Sequence, residues 1–508
     1  MKQEHDIPNL EGLEKLDDKS ARALLMQLVM VVSMLRGLIE ELRESLAAER
    51  HQREQLQRAL FGPSSERLPP MQRLVTKHQK EQEGAEERAQ RKAAAQKKRE
   101  DNAQRRRDTL PSEIIDHPIA ATCCPSCQAP VTDAAQLADE VSEEFEFVPA
   151  SLVRREHHRK RRVCACNTFL YGEPVARVAD AVIYGPGLHA HVVVAKCADS
   201  IPIERLSKSF GRANSAISRS TLNELFHRVA DLTSPLYERM LVRVAQSEHV
   251  SADETTLSVQ QKGKCRTAWM WTFIGSNLVT YVFSASRSGQ TPLDVLGQST
   301  GTLQVDAYTG YNAVTCPEGR TRSGCWSHVR RKFFEALKTS PDEATYVLDQ
   351  ILAMYLVEYE AVDKNILGTE AHRILRRSKT GPLVEALFRW LEAQKGAHLP
   401  KGPLGRAIGY ALNQRLTLSV FLDEAKVSLD NNLSERNLRL IALGRKNFLF
   451  VGHDEGGRNL AILQSLVSSC IANEINPQEY LADVIMRIQD HPRSAIDELL
   501  PDVWRPSG

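Results

Sequence analysis

The sequence predicts a multidomain α/β protein. Its 508 residues are enough for roughly three or four domains, and 42% hydrophobic residues are enough to build buried cores. Three patterns indicate the fold class: an N-terminal heptad repeat, short apolar strands in the second half, and a long amphipathic helical stretch that interrupts them. We therefore expect a coiled coil and small modules ahead of an α/β domain.

Residues 20–62 are predicted to form a coiled-coil helix. Two apolar rows follow the heptad spacing: Leu28, Leu35, Leu42 and Leu56, with Val32, Ile39, Leu46 and Leu60 as the companion row. Two such rows form a coiled-coil seam, so self-association is the preferred interpretation, and packing of the helix on the body of the same chain is the alternative. Glu49 and Arg53 interrupt the seam, and Gly62-Pro63 is expected to end the helix.

Residues 63–110 are predicted to be a basic linker. Between positions 88 and 107, nine Lys or Arg against Glu100 and Asp101 give a local net charge of +7. Because this stretch has almost no apolar side chain larger than Ala, we expect a frayed helix or a disordered segment. It is either a solvated linker or a tether that binds DNA phosphates.

A zinc-binding module is predicted over residues 111–180. Its candidate ligands are Cys124, Cys127, Cys164 and Cys166. The first pair has the tight Cys-x-x-Cys spacing that tetrahedral zinc needs, so one structural Zn²⁺ is expected. The second pair has only one intervening residue, which leaves the fourth ligand open, with Cys123, His157 and His158 as substitutes. Free thiols are the alternative, and the basic residues between 154 and 162 favour a DNA contact.

Residues 185–245 are predicted to form a helix-turn-helix-like DNA-binding domain. The segments IPIERLSKSF and SRSTLNELFHRVADL have amphipathic helical spacing and flank a short turn with Gly211. Ser218 or Ser220 is expected to cap the second helix. The first residues of such a helix can read base edges, which makes Arg219 and Asn223 candidate DNA contacts. An ordinary helical hairpin is the alternative.

Three acidic residues in the second half are the candidate catalytic groups: Asp253, Asp306 and Glu435. The first two end or interrupt short apolar runs, as expected of carboxylates delivered by buried strands, and the third lies in a basic helical stretch. Carboxylates are the ligands that Mg²⁺ prefers, and two such ions can serve phosphoryl transfer.

Other interpretations of these acids stay open. Asp is also common at ordinary turns and strand ends. Asn432-x-x-Glu435 fits a helix capping box. Asp430 is a rival third ligand, and Glu254 would replace Asp253 if the strand register shifted by one residue.

The catalytic domain is predicted in two pieces, residues 246–340 and 417–470. RTAWMWTFIGSNLVTYVFSASRSG indicates an antiparallel meander that turns at Gly275 to Asn277. A helical insertion over residues 341–416 separates Asp306 from Glu435, and a helical extension covers residues 471–508. Basic side chains on two helices of this domain are candidate DNA contacts. They are His328, Arg330, Arg331, Arg436, Arg439, Arg445 and Lys446.

Long motifs give the chain a family resemblance. The segments ADET, LQVDAYTGYN, CWSHVRRKFFEA, DNNLSERNLRLIALGRKNFLFVG and SLVSSCIANEINPQEYL occur in that order, after CPSC and FGPSSERL. They resemble the transposase of the insertion sequence 66 family over most of the chain. The resemblance implies a ribonuclease H-like DDE domain whose three acids are Asp253, Asp306 and Glu435, with two Mg²⁺ or Mn²⁺ ions per active site.

The function that the resemblance implies is strand transfer at the ends of a mobile element. A water attacks the phosphodiester at the element end, and the freed 3′ hydroxyl then attacks target DNA in line. Double-stranded DNA and a second copy of the chain are the expected partners, with accessory proteins of the same element also implied. A DNA-binding regulator without catalysis, and a ribonuclease H-like nuclease, are the alternatives.

The composition of the sequence predicts where in the cell the protein is located. No apolar run approaches the ~20 residues that cross a bilayer, and the start of the sequence has no secretory signal. We therefore expect a protein that works on DNA in the bacterial cytoplasm, with no membrane partner. Net charge is only +2, so DNA binding must depend on where the charge lies.

Overall fold

The computed structural model describes residues 182–506, apart from position 214, together with 85–109, 152–163 and 169–171 in the N-terminal part. Isolated positions are also described, at 71, 74–76, 78, 130, 177 and 178. The predicted coiled coil lies outside the described residues, and so do the four predicted zinc ligands and Cys123. The predictions made for these residues remain predictions.

The basic segment forms a helix. Helix α1 spans Ala85–Thr109, and those of its side chains that are described are exposed. Bonds one turn apart support it, because Gln96 donates to Glu100 (3.0 Å) and Gln104 donates to Asp108 (2.9 Å). In the predicted zinc module, strand β1 (Arg161–Val163) pairs antiparallel with β2 (Phe169–Tyr171).

Three helices lead into the sheet: α2 (Pro186–Cys197), α3 (Ile203–Arg212) and α4 (Arg219–Ala245). The Ser218 hydroxyl accepts the backbone N–H of Thr221 at 3.1 Å, which confirms Ser218 as the cap of α4. Helix α4 runs well past the predicted segment and through Pro235, because Leu236, Met240 and Val244 continue its buried face at four-residue spacing. These helices share one hydrophobic core with the sheet that follows.

A five-stranded mixed sheet forms the centre of the described structure. Its strands are β3 (His249–Gln261), β4 (Lys264–Gly275), β5 (Leu278–Ser284), β6 (Thr302–Gln304) and β7 (Thr321–Ser323). The spatial order is β5-β4-β3-β6-β7, with the first three antiparallel and β6 and β7 parallel to β3. The predicted meander is confirmed, and its turn has positive φ at Ser276 and Asn277, as two-residue hairpins require.

Helices cover the sheet and its connections. They are α5 (Gln290–Leu296), α6 (Trp326–Ala336), α12 (Asn432–Phe448) and α13 (Asp454–Ala472). Helix α13 protects the edge strand β5, because Ser465 and Ser469 accept the backbone N–H groups of Tyr281 and Val279, each at 2.8 Å. This satisfies donors that an open sheet edge would leave exposed.

The segment between α6 and α12 is helical, as predicted. It contains α7 (Pro341–Asp363), α8 (Glu370–Leu375), a π-helical turn (Arg376–Thr380), α9 (Gly381–Gln394), α10 (Pro403–Asn413) and α11 (Arg415–Ser419). Helices α7, α9, α10 and α11 bury apolar residues with α6 in a second hydrophobic core. The insertion is therefore packed directly on a helix of the sheet domain.

The C-terminal part returns to the first core. Helix α14 (Pro477–Arg487) and a 3-10 helix (Arg493–Leu499) follow α13. The 3-10 helix is tied to α4, because Arg239 donates two hydrogen bonds to the carboxylate of Asp497. Among the described residues, no helix combines the length and apolarity needed to cross a membrane.

Candidate active site

Asp253 and Asp306 lie at matching positions relative to two parallel strands, Asp253 within β3 and Asp306 two residues beyond β6. The pairing of β3 with β6 sets Ser251 opposite Gln304, and each aspartate lies two residues further along its chain. Adjacent strands are about 4.8 Å apart, so this register brings both carboxylates to one edge region of the sheet. Tyr308 fixes the second one, because its backbone N–H donates to Asp306 Oδ1 at 2.8 Å.

Glu435 reaches this region through the loop of residues 428–431 that precedes α12. Gln304 on β6 donates to the carbonyl of Ser428 (2.5 Å), and the N–H of Trp326 donates to the carbonyl of Leu429 (3.1 Å). The side chain of Asn431 donates to the carbonyl of Ala252, beside Asp253, at 2.7 Å. These bonds attach the start of α12 to the strands that carry the aspartates.

The capping-box interpretation of Glu435 is wrong. Helix α12 begins at Asn432, and its N-cap is Asn431, without a side-chain capping bond. Glu435 is therefore the fourth residue of the helix and not the third, so its carboxylate does not reach back to the cap. It points instead towards His328 (3.9 Å from Nδ1 to Oε1) and Arg331 (3.6 Å to Oε2) on α6.

The electrostatics of the site come from crowded acids. Burial, together with the charges of Glu254, Asp306 and Glu435, raises the pKa of Asp253 to about 7, although one backbone hydrogen bond acts to lower it. Carboxylates that are close together cannot all ionise easily without a cation. The arrangement therefore favours a bound divalent ion.

Glu254, the alternative to Asp253, has other partners. Its side chain is only 2% exposed and accepts two hydrogen bonds from Arg287 (2.9 and 2.6 Å) and one from the Tyr311 hydroxyl (2.6 Å). Burial raises the pKa of Glu254, while these hydrogen bonds lower it. Because its acceptor positions are occupied, Glu254 is less suited than Asp253 to bind a metal.

Asp430, the rival third ligand, is held by the insertion. Its carboxylate accepts from the Tyr355 hydroxyl of α7 (2.5 Å) and from the backbone and side chain of Asn432 (3.0 and 2.6 Å). Burial raises its pKa, and the bonds from Tyr355 and Asn432 lower it. Through these contacts, Asp430 links helix α7 of the insertion to the start of α12.

Cys325 and His328 extend the site on the side of Glu435. A sulfur, a ring nitrogen and a carboxylate oxygen from Cys325, His328 and Glu435 all lie within 4.8 Å of one another. Burial lowers the pKa of His328 while Glu435 and Asp306 raise it, and burial raises the pKa of the Cys325 thiol to about 12. Sequence reasoning selected His328 only as a basic residue and missed Cys325, although Cys-x-x-His spacing was visible.

The predicted DNA contacts differ in how exposed their side chains are. Helix α12 exposes the side chains of Arg436, Arg439 and Lys446, and helix α4 exposes that of Asn223. Arg331 is 49% exposed, and Arg219 is 70% exposed and ion-paired with Glu204. These positions suit contacts with a large charged partner.

Two other basic residues that were predicted to contact DNA, Arg330 and Arg445, have different surroundings. Arg330 is buried, with only 5% of its surface exposed, so it does not face a DNA surface. Arg445 donates to the carbonyl of Thr256 on β3 at 2.6 Å, which ties α12 to the sheet.

The donor set fits hard divalent cations. Asp253, Asp306 and Glu435 supply carboxylate oxygens, and Glu435 Oε1 is buried without a hydrogen-bond partner within the described part of the chain. Such an atom is costly to bury unless a cation or a donor reaches it. Mg²⁺ and Mn²⁺ prefer ligands of this kind.

Family comparisons agree with this architecture. The model of the transposase IS66 family matches residues 181–459, more than half of the chain. The chain belongs to the IS66 transposase family. Two further models match around that segment: the zinc-finger binding domain of transposase IS66 over residues 121–167, and the IS66 C-terminal element over 465–501. The zinc-finger match contains all four predicted zinc cysteines and supports a zinc-binding module in this IS66 chain.

Relatives of this IS66 chain occur in Sinorhizobium fredii (strain NBRC 101917 / NGR234). Uncharacterized protein y4jD is 31% identical over 392 residues, which are 73% of this chain and 76% of the relative. Uncharacterized protein y4hP is 27% identical over 416 residues, with 77% and 74% covered. Uncharacterized protein y4qI is 31% identical over 340 residues, with 63% and 62% covered. Their names assign no reaction, so the mechanism must come from the site.

Proposed function

We propose that this protein is a DDE transposase that cleaves and joins DNA at the ends of a mobile element. The observation that carries the proposal is the matching position of Asp253 and Asp306, each two residues beyond the parallel pair Ser251 and Gln304, with Glu435 attached to the same region by the loop before α12. Family membership supports DNA as the substrate.

The sheet order supports a ribonuclease H-like catalytic domain. Three antiparallel strands are followed by two that run parallel to the first, and the helical insertion enters between the strands and the third acid. A helical insertion at this place is part of what the sequence led us to expect. Fold alone does not assign a reaction, so the acids carry the functional argument.

Asp253, Asp306 and Glu435 are the proposed ligands of two Mg²⁺ or Mn²⁺ ions. When bound, such ions stabilise charge on the attacking and leaving oxygens of an in-line displacement at phosphorus. The residues of the chain do the rest: the strands fix the two aspartates, and α12 brings Glu435 to them. Arg331 lies beside Glu435 and is partly exposed, so it is placed to contact a phosphate of the bound DNA.

Two successive transfers complete the proposed reaction. Water first displaces the 3′ oxygen at the element end, and the resulting 3′ hydroxyl then attacks a target phosphodiester. Neither step needs a covalent enzyme intermediate. The exposed basic residues Arg436, Arg439 and Lys446 of α12 are proposed to hold the DNA backbone, while Arg219 and Asn223 read the element end.

The proposed assembly contains at least two subunits that hold two element ends, paired through residues 20–62. A structural Zn²⁺ in the module of residues 111–180 is proposed to shape a DNA contact, and the exposed basic residues 154, 155, 159 and 160 adjoin it. We also propose that the protein acts in the bacterial cytoplasm and uses accessory proteins of the same element.

The direct test is an assay of the purified full chain with labelled element ends, Mg²⁺ and a target plasmid. A transposase yields both cut ends and joined products. Cutting of any DNA without joining would indicate a nuclease, and binding without cutting would indicate a regulator. Either of these results would overturn the proposal.

A further inference from the structure

Glu435 also belongs to a second cluster, whose other members, a cysteine and a histidine, are softer metal ligands than carboxylates. Cys325, His328 and Glu435 offer a sulfur, a nitrogen and an oxygen within 4.8 Å of one another. Mg²⁺ prefers oxygen ligands, whereas thiolate and imidazole groups are typical ligands of zinc. The cluster is therefore unlike the carboxylate set and needs its own explanation.

Local structure produces this cluster. Cys325 is the N-cap of α6, and His328 follows in the first turn of that helix. The sulfur accepts the backbone N–H of Asn431 at 3.2 Å, from the residue that caps α12. Backbone N–H groups and a helix N-terminus both favour a thiolate once its proton has left.

Two atoms of the cluster lack hydrogen bonds. His328 Nδ1 and Glu435 Oε1 are buried, face each other at 3.9 Å, and have no hydrogen-bond partner among the described residues. That separation is too long for a hydrogen bond, so both atoms are left unsatisfied at a cost. A cation held between them and the nearby sulfur would satisfy both.

We propose that Cys325, His328 and Glu435 form a site for a thiophilic divalent cation, with Zn²⁺ as the physiological candidate. Binding breaks the S–H bond of Cys325, releases its proton to solvent and forms a metal–sulfur bond. Three protein ligands leave a fourth position open, in contrast to a closed structural zinc site. The ion is therefore expected to exchange.

The site shares Glu435 with the proposed Mg²⁺ ligands. When Zn²⁺ takes Oε1 of Glu435, this oxygen is withdrawn from the aspartates, so Zn²⁺ should inhibit DNA cleavage supported by Mg²⁺. This inhibitory consequence rests on the proposed function. Metal binding itself does not, and it can be measured without DNA.

The test is a titration of the full-length protein with Co²⁺, which reports thiolate ligands through a charge-transfer absorption band. Wild type is compared with Cys325→Ser and with Cys316→Ser, whose exposed thiol lies outside the cluster. We expect wild type and Cys316→Ser to bind one more Co²⁺ per chain than Cys325→Ser, with a stronger thiolate band. The cysteines of residues 111–180 contribute equally to all three proteins.

A second variant keeps the test decisive if the buried Cys325→Ser protein does not fold. His328→Asn retains the sulfur and should weaken Co²⁺ binding at this site at least about tenfold, since a ligand is lost. Equal Co²⁺ stoichiometry and equal spectra in wild type and His328→Asn would overturn the proposal. A failed DNA assay with an intact Co²⁺ site would instead count against the proposed function alone.

Discussion

Asp253 and Asp306 lie at matching positions, each two residues beyond the parallel pair formed by Ser251 and Gln304. Backbone hydrogen bonds of the sheet position Asp253 within β3, and the backbone N–H of Tyr308 holds the carboxylate of Asp306 just beyond β6. Glu435 is brought to them by the loop before α12, in which the Asn431 side chain donates to the carbonyl of Ala252, next to Asp253, at 2.7 Å. Rigid placement of this kind is what in-line phosphoryl transfer requires.

The first prediction concerns the three acids. Asp253→Asn, Asp306→Asn and Glu435→Gln should each lower DNA cleavage on the order of 10³-fold or more, because each removes a metal ligand. DNA binding, measured by electrophoretic mobility shift, should change little. The variant Asp430→Asn tests the alternative third ligand. If Glu435→Gln cleaves DNA nearly as well as wild type and Asp430→Asn does not, Asp430 is the third metal ligand.

The second prediction concerns pH and Mg²⁺. The pKa of Asp253 is about 7 in the folded protein and about 3.9 in an unfolded chain, so the folded state binds more protons between these values. Without Mg²⁺, the free energy of unfolding should therefore fall as pH rises from about 4 to 7, by about 1 kcal/mol per unit from this group.

Urea unfolding of wild type and Asp253→Asn across that pH range measures the effect, because other titrating groups are shared. The variant should have the shallower slope, and added Mg²⁺ should flatten the slope of wild type by favouring the ionised carboxylate. Identical slopes in the two proteins would show that Asp253 does not carry the shift.

The third prediction concerns the link between the insertion and α12. Tyr355→Phe removes the hydroxyl that donates to Asp430, so a buried carboxylate loses one partner. We expect unfolding to become easier by about 1–3 kcal/mol and DNA cleavage to decrease, because the start of α12 is less well fixed. Tyr346→Phe, at a more exposed position on α7, is the control and should change neither. A stable and fully active Tyr355→Phe protein would refute this role.

The fourth prediction concerns the structural zinc. Protein purified and dialysed without added metal should retain about one zinc per chain, since a closed four-ligand site holds the ion tightly. Elemental analysis should show that Cys124→Ser or Cys127→Ser releases it. Replacing Cys123 alone tests whether it is the fourth ligand. A zinc-free wild type whose stability does not change in chelator would exclude the site.

The fifth prediction concerns assembly. The two apolar rows of residues 20–62 can be buried only against another helix, so this segment should drive self-association. Light scattering on the full chain and on a form that starts at residue 69 measures the oligomeric mass. The shorter form should contain fewer subunits per oligomer than the full chain. If both forms contain the same number of subunits, another surface of the protein drives assembly.

Short-range patterns were readable in the sequence. The meander of β3 to β5, the Ser218 cap and the helical insertion follow from apolar periodicity, turn residues and capping chemistry, which act within a few residues. The same patterns show that Asp253 and Asp306 end or interrupt short apolar runs, and the structure places Asp253 within β3 and Asp306 two residues beyond β6. They also identified the family, since long motifs in a fixed order are specific.

Only the tertiary structure decided how distant residues meet. The sequence left two choices open, Asp253 or Glu254 and Glu435 or Asp430, and it also allowed a capping box at Glu435 that does not form. Strand register, the ion pair of Glu254 with Arg287, and the Tyr355 bond to Asp430 favour Asp253 and Glu435 as the proposed ligands. Each depends on packing between segments that lie far apart in the chain, which local propensity does not encode.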